Sequence, residues 1–495
     1  MTVVTVSKVT GIAASVTGGA SVTGVGVSPF SYLGFIATRG HAPTTYNAGA
    51  KNSMSRSRHI AMDNIPAIQL AFAGYNVASL GEAAAGANIT YTASIEFPVG
   101  VTVTRVTFSG ASSGVCTPGA TLFSDLIALP ATIPRGESFF VRMFATTTGG
   151  IPFSEGVGLN TVTSAVPVSG EWWALSSGAV TDDTGTLNNQ NNQIAANAGM
   201  QVPLALIGYT SRNSILIVGD SRSIGAGLKE NVCNAVGDGG NVGRCVGRGF
   251  AYCSVGAGGE QLATVSGSAF VQRRLLAAYC THIVCAYGIN DFQTGGLSAA
   301  TTLTNLATFA ASFNPIKPFI VCTVEPNTTS TDGWGTVANQ SQVSSSANTQ
   351  RILYNDSLRR GNYVTPIVRT ADITSAVESG INSGTWAAAE RSATDCSITS
   401  GAAVLTSTAV AQFTPDDVGK YVGVVGAGAA GATLVTYIKT YTSATSVTLN
   451  ANAGTTVGPT ATAYIGIPTS DGIHGTSISS GRIEKSTVFS VLDGF

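Results

Sequence analysis

Three polar clusters in this chain carry the residue types needed to cleave an ester. Gly219-Asp220-Ser221 stands where the apolar run SILIV (214–218) stops, Gly288-Ile289-Asn290-Asp291 closes a second apolar run, and Asp471-Gly472-Ile473-His474 lies near the C-terminus. A serine hydroxyl is a weak nucleophile and needs a general base. The chain offers four histidines, at 41, 59, 282 and 474. His282 starts an apolar run and His41 and His59 lie in a low-complexity arm, whereas His474 has a carboxylate three residues earlier and Gly472 to allow a tight turn between them. Asp471 is therefore expected to accept the Nδ1 proton, leaving Nε2 to take the proton of Ser221. A tetrahedral intermediate also needs donors fixed in advance. The Ser221 amide, the Gly259 amide in the loop SVGAGG (254–259) and the Asn290 carboxamide are the candidates. Glycine suits such a loop because its backbone can approach a substrate closely.

Each motif alone is weak, since random order at this composition gives roughly 0.2 copies of GDS and roughly 0.1 each of GxND and DxxH. Ser221 could simply cap a helix, Asn290 and Asp291 could form a turn, and the glycine stretch could be a plain loop. Their joint occurrence, in order and at the ends of apolar runs, favours the chemical reading.

Such groups need a scaffold that brings distant segments to one edge. The runs SILIV (214–218), GFAYCSV (249–255), HIVCAYG (282–288), PFIVCTV (318–324) and YVTPIV (363–368) are each followed by a segment of helical length. Continuous apolar strands alternating with helices predict a parallel sheet covered on both faces, with reactive groups at the carboxyl ends of its strands. Upstream, residues 61–178 hold short β-branched and aromatic runs separated by Gly, Pro and Asn, the pattern of an antiparallel β-sandwich or jelly roll. Residues 1–60 read as a strand-poor, Gly/Ser/Thr-rich arm, and 179–210, with DDTGTLNNQNNQ, as a linker. Residues 396–465 are β-branched, small and glycine-rich, an inserted β-module after which the α/β pattern resumes at 466–495.

Composition narrows the partners. The chain has 495 residues, 10% of them charged, and a net charge of −1. There is no electrostatic footprint for nucleic acid or an anionic membrane, and a neutral sugar or ester fits better. The longest uncharged window, Tyr421 to Ile438, carries four glycines and β-branched alternation, which describes strands rather than a membrane-spanning helix. The N-terminal MTVVTVSKVTGIAAS lacks the basic start and continuous apolar stretch of a secretory signal. Eight cysteines without a CxxC pair suggest neither zinc nor a disulfide scaffold. Cys285 and Cys322 read as core thiols, while Cys233, Cys245 and Cys253 could include a bridge. Trp334, in the loop NTTSTDGWG after the fourth apolar run, is the best candidate for stacking on a sugar, ahead of Trp172 and Trp173. Arg351, Arg359 and Arg360 read as a solvated helix face.

Four segments resemble blocks I, II, III and V of the SGNH (GDSL-like) hydrolases. Carried over by position, Ser221 matches the nucleophile, Gly259 and Asn290 the oxyanion donors, and Asp471 and His474 the rest of the triad. The resemblance implies a three-layer α/β/α domain with a five-stranded parallel sheet over 211–395 and 466–495, and metal-free, cofactor-free ester hydrolysis through an acyl-enzyme. The chain departs from the family in having Arg222 where GDSL has leucine, and in lacking an asparagine at the start of block II. The absence of glycine two places after Ser221 disfavours the G-x-S-x-G elbow. The stretch 413–451 resembles small β-modules of phage tail-spike and tail-fibre proteins. Together these features suggest deacetylation of a surface polysaccharide by a phage particle or extracellular protein. A tail-like glycan-binding protein with a vestigial site and an esterase of short-chain lipid or synthetic esters are the alternatives. Trimeric or other homo-oligomeric assembly is expected only by analogy with tail proteins.

Overall fold

A computed structural model describes residues 31–154, 170–187, 200–225, 240, 242–408 and 412–486. The first thirty residues of the arm, the NNQNNQ part of the linker, Cys233 and residues 487–495 lie outside the described residues. Strand outweighs helix over the described residues as a whole, and the α/β alternation is confined to 214–377 and the helix Ser477–Lys485.

The chemistry-bearing sheet is wholly parallel, in the order Gly40–His41, Ala251–Ser254, Ser214–Gly219, His282–Ala286, Phe319–Cys322, Ile367–Ala371. It has six strands rather than the expected five. The extra one is two residues of the arm, too short to show as an apolar run. Ser214–Gly219 sits inside the sheet and is buried along its whole length, as its unbroken apolar sequence predicts. Its side chains alternate between two apolar clusters. Leu216 and Val218 join Leu262, Phe309 and Tyr354 on one face, while Ile215 and Ile217 join Val246, Val377 and Ile483 on the other. The last strand begins only at Ile367, because the preceding Pro366 has no N–H for a ladder.

Two antiparallel sheets form the sandwich. One orders Tyr32–Phe35, Ala205–Thr210, Ile65–Ala73, Thr121–Phe123, with Ile127–Ile133 also on Ile65–Ala73. The other orders Gly114–Cys116, Ile89–Glu96, Ser138–Thr147, Asn52–Ile60, Trp172–Ser176. Arm residues 32–60 are therefore not strand-poor, and 205–210, read as linker, form a strand between two neighbours. Composition hid the first because Arg56, in MSRSRH, is a buried ion-pair partner. It binds Glu96 through Nε at 2.8 Å and Nη2 at 2.6 Å, and Arg142 reaches the same carboxylate at 2.8 Å. Burial would raise the Glu96 carboxyl, but the Arg56, Gly100 and Arg142 donors bring it down to about 2.

The first sheet has two apolar faces. Leu70, Phe72 and Leu206 point into the sandwich core, whereas Ala71, Ala73, Ala205 and Ile207 pack into the cluster shared with the parallel sheet. The sandwich is thus seated directly on the α/β part. Residues 391–465 close into a six-stranded barrel around Val422, Ile438, Val447 and Ile465. The window Tyr421–Ile438 supplies two of its strands, and among the described residues no helix is long and apolar enough to cross a membrane. The barrel meets the loop after the fourth apolar run through Thr433 Oγ1 to Thr331 O at 3.0 Å, and the segment leading into it through Ala389 N to Gly335 O at 3.1 Å. Cys285 and Cys322 are buried free thiols; Cys245 and Cys253 are also free.

Candidate active site

Ser221 follows the carboxyl end of its strand by two residues. Ser223 donates to Asp220 O from its amide at 3.0 Å and from its hydroxyl at 2.8 Å, and these bonds shape the turn. Residues 221–225 form consecutive turns, so among the described residues Ser221 is not a helix cap. Its Oγ lies 2.9 Å from His474 Nε2, and His474 Nδ1 lies 2.7 Å from Asp471 Oδ2. A carboxylate only accepts, so Nδ1 carries the ring proton and Nε2 accepts from the serine hydroxyl. Burial would raise the Asp471 carboxyl, but the hydrogen bond and charge of His474, with the His474 and Ile473 amides, hold it below its ordinary value. The other three histidines are buried. Burial drives His41 down to about 4 and His59 down to about 3, which leaves both neutral and structural.

The histidine loop is pinned from behind. Gly472 has φ +87°, and a Cβ there would stand 1.7 Å from Thr328 O, so only glycine fits. The Gly472 carbonyl accepts from Thr328 N at 3.0 Å and from Trp386 Nε1 at 2.9 Å. Thr469 Oγ1 receives the Gly472 amide at 2.9 Å and donates to His474 O at 2.7 Å.

Gly258 borders the nucleophile, and both it and Gly259 are exposed. A Cβ on Gly258 would stand 3.9 Å from Ser221 Cβ, and Gly259 adopts φ +77°. Asn290 lies in the first turn of the short helix Ile289–Gln293, and its Nδ2 donates one hydrogen to Glu260 O at 3.1 Å. Among the described residues no acceptor takes the second amide hydrogen. Asp291 receives the Leu262 amide at 3.0 Å and the Ala263 amide at 3.3 Å, which ties the glycine loop to the asparagine segment.

Known structures resemble the chain only weakly. An acetylxylan esterase from Geobacillus stearothermophilus, solved as a catalytic mutant, is 15% identical, with a TM-score of 0.23 over 33% of this chain and 77% of its own. A G-D-S-L family lipolytic protein from Veillonella parvula is 14% identical, with a TM-score of 0.22 over 33% and 79%. A family two carbohydrate esterase from Clostridium thermocellum, in complex with cellohexaose, is 10% identical, with a TM-score of 0.23 over 66% and 87%. No protein-family model matches the chain, nor does any curated protein sequence. Similarity this low carries no weight for function.

Two expectations are corrected at the site's edge. Trp334 is 8% exposed and its Nε1 donates to Thr328 Oγ1 at 3.0 Å. Its ring packs behind Gly472 and braces the histidine loop, so it offers no face to a sugar; Trp172 and Trp173 are buried as well. Arg351 is also buried, binding Glu378 at 2.7 Å and Val324 O at 2.9 Å, and of the three arginines only Arg360 is exposed, 3.8 Å from Asp356.

Sequence reasoning passed over Asp220. It is 1% exposed, its Oδ1 takes the Arg222 amide at 3.0 Å, and among the described residues its Oδ2 has no hydrogen-bond partner. Burial raises its carboxyl to about 6, against the pull of Arg222 and His474. From about pH 4 to 6 the folded chain therefore keeps a proton that the unfolded chain has released, so stability falls as pH rises through that window, by ~2–3 kcal/mol for this group. Asp291, raised by burial to about 6, adds to the same slope. Relative to wild type, Asp220→Asn should shift the urea midpoint upward at pH 6.5 compared with pH 4. An unchanged slope would contradict this assignment.

Proposed function

We propose that this chain is a serine esterase that removes small acyl groups, O-acetyl foremost, from carbohydrate. The observation that carries the reading is the continuous relay from Ser221 through His474 to Asp471. In the proposed reaction the Ser221 Oγ–H bond breaks, its proton passes to His474 Nε2, and Oγ bonds to the ester carbonyl carbon. The Asn290 carboxamide and the Ser221 and Gly259 amides receive the resulting oxyanion. His474 then protonates the departing alkoxide, leaving an acyl-Ser221, and water activated by the same imidazole releases the acid. Residues 211–395 and 466–495 would form the hydrolase part, with the three-layer α/β/α architecture that its motifs resemble. The sandwich and the barrel would be separate accessory units.

The acetyl preference rests on the weakly charged chain and on the exposed Gly258 and Asp471 near the nucleophile, which suit a neutral, bulky alcohol. Turnover of p-nitrophenyl esters should fall from acetate to butyrate to octanoate, and acetate should be released from acetylated oligosaccharides. A preference for octanoate would replace the carbohydrate reading with a lipid-ester one. Cleavage of no ester, with retained glycan binding, would favour an adhesive protein of the tail-like kind.

A further inference from the structure

The hairpin Tyr75–Ala78 and Gly81–Ala84 projects from the sandwich sequence and lies against the glycine loop of the site. Its turn is Ser79-Leu80. A Cβ on Gly259 would stand 3.0 Å from Ser79 Cβ, so the turn backs the glycine from behind. The hairpin is held there by Glu82. This carboxylate accepts the amides of Val271 at 3.1 Å, Gln272 at 2.8 Å and Arg273 at 2.9 Å, and Arg273 Nε at 3.2 Å. The Glu82 amide donates to Ala269 O at 3.2 Å.

Arg273 is fully buried and continues the chain of contacts. Its Nη1 and Nη2 grip Glu260 at 2.9 and 2.7 Å, the planar fork matching the carboxylate. Nη1 also holds Val255 O at 2.9 Å, and Tyr287 Oη donates to Glu260 at 2.7 Å. The Glu260 carbonyl is the group that orients Asn290. Gly259 and Asn290 are therefore both supported, one by contact and one through a buried ionic network, from the same hairpin.

We propose that the hairpin is part of the oxyanion site, and that Glu82 is a positioning residue through which the sandwich sets the geometry of Gly259 and Asn290. This rests on the esterase reading above. Glu82 touches no substrate; its carboxylate fixes Arg273, which fixes Glu260, which fixes the asparagine amide. Glu82→Gln keeps the volume but puts an NH2 where an oxygen accepted backbone amides. Displacement of an oxyanion donor by a fraction of an ångström weakens the transition state more than the ground state.

The test is steady-state hydrolysis of p-nitrophenyl acetate, normalised to sites titrated to completion with diisopropyl fluorophosphate. Glu82→Gln should lower kcat per titrated site about tenfold with KM nearly unchanged, and Glu82→Asp should recover part of the loss. Gly81→Ala keeps Glu82 but would push a Cβ to 2.4 Å from Ala269 Cβ; lifting the hairpin this way should lower kcat in the same sense. If lost activity were matched by lost titratable sites, the survivors turning over at the wild-type rate, the role would be structural and the proposal overturned. Unchanged kcat in both Glu82→Gln and Gly81→Ala, with an active wild type, would overturn this inference alone. A wild type inert to both reagents would overturn it together with the esterase reading.

Discussion

Ser221→Ala is expected to abolish hydrolysis of p-nitrophenyl acetate, lowering kcat by about 10⁴-fold or more while the protein keeps its melting temperature. The size follows from the unit behaviour of a nucleophile and its base: without Oγ, the His474 imidazole has no nucleophile to activate, and only oxyanion donors and binding remain to catalyse attack by water. Stability should be spared because Ser221 Oγ is part-buried and, among the described residues, bonds only to His474, so alanine strands no other buried polar group there. A variant retaining more than a tenth of wild-type kcat would show that the relay is not the reacting unit.

Asn290→Ala should lower kcat by ~10²–10³-fold with a much smaller effect on KM. The charge that its free amide hydrogen would stabilise exists only after attack, so the loss falls on the transition state rather than on substrate binding. The change also leaves the Glu260 carbonyl without the Asn290 donor, a local cost of about 1 kcal/mol that a melting curve would report separately. A rise in KM at constant kcat would assign Asn290 to ground-state binding instead.

The part of the site readable from sequence is the part dictated by chemistry. A hydroxyl nucleophile needs an imidazole and a carboxylate, the chain has four histidines, and only His474 has Asp471 within one turn. The sheet was readable for a similar reason: SILIV and HIVCA are apolar on both faces, which a strand covered on both sides requires. What escaped depends on pairings between residues far apart in the chain. Arg56 and Glu96 are ordinary surface residues by type, and only the fold makes them a buried pair. Gly40–His41 is too short for any periodicity. Trp334 followed strand-end polar residues, as a sugar platform would, yet Gly472 needs something large behind it and the indole fills that place. Glu82, Arg273 and Glu260 left no local signal, because a carboxylate that caps a backbone and an arginine that grips a carboxylate look, in sequence, like solvated charges.

The most direct measurement is peptide mass spectrometry of the full chain after reaction with diisopropyl fluorophosphate. Nucleophilic Ser221 activated by His474 predicts one diisopropylphosphoryl adduct per chain, formed as Oγ displaces fluoride, located on the peptide containing Ser221, absent in Ser221→Ala and strongly slowed in His474→Ala. An adduct on another serine, or labelling of Ser221 at an unchanged rate without His474, would contradict it.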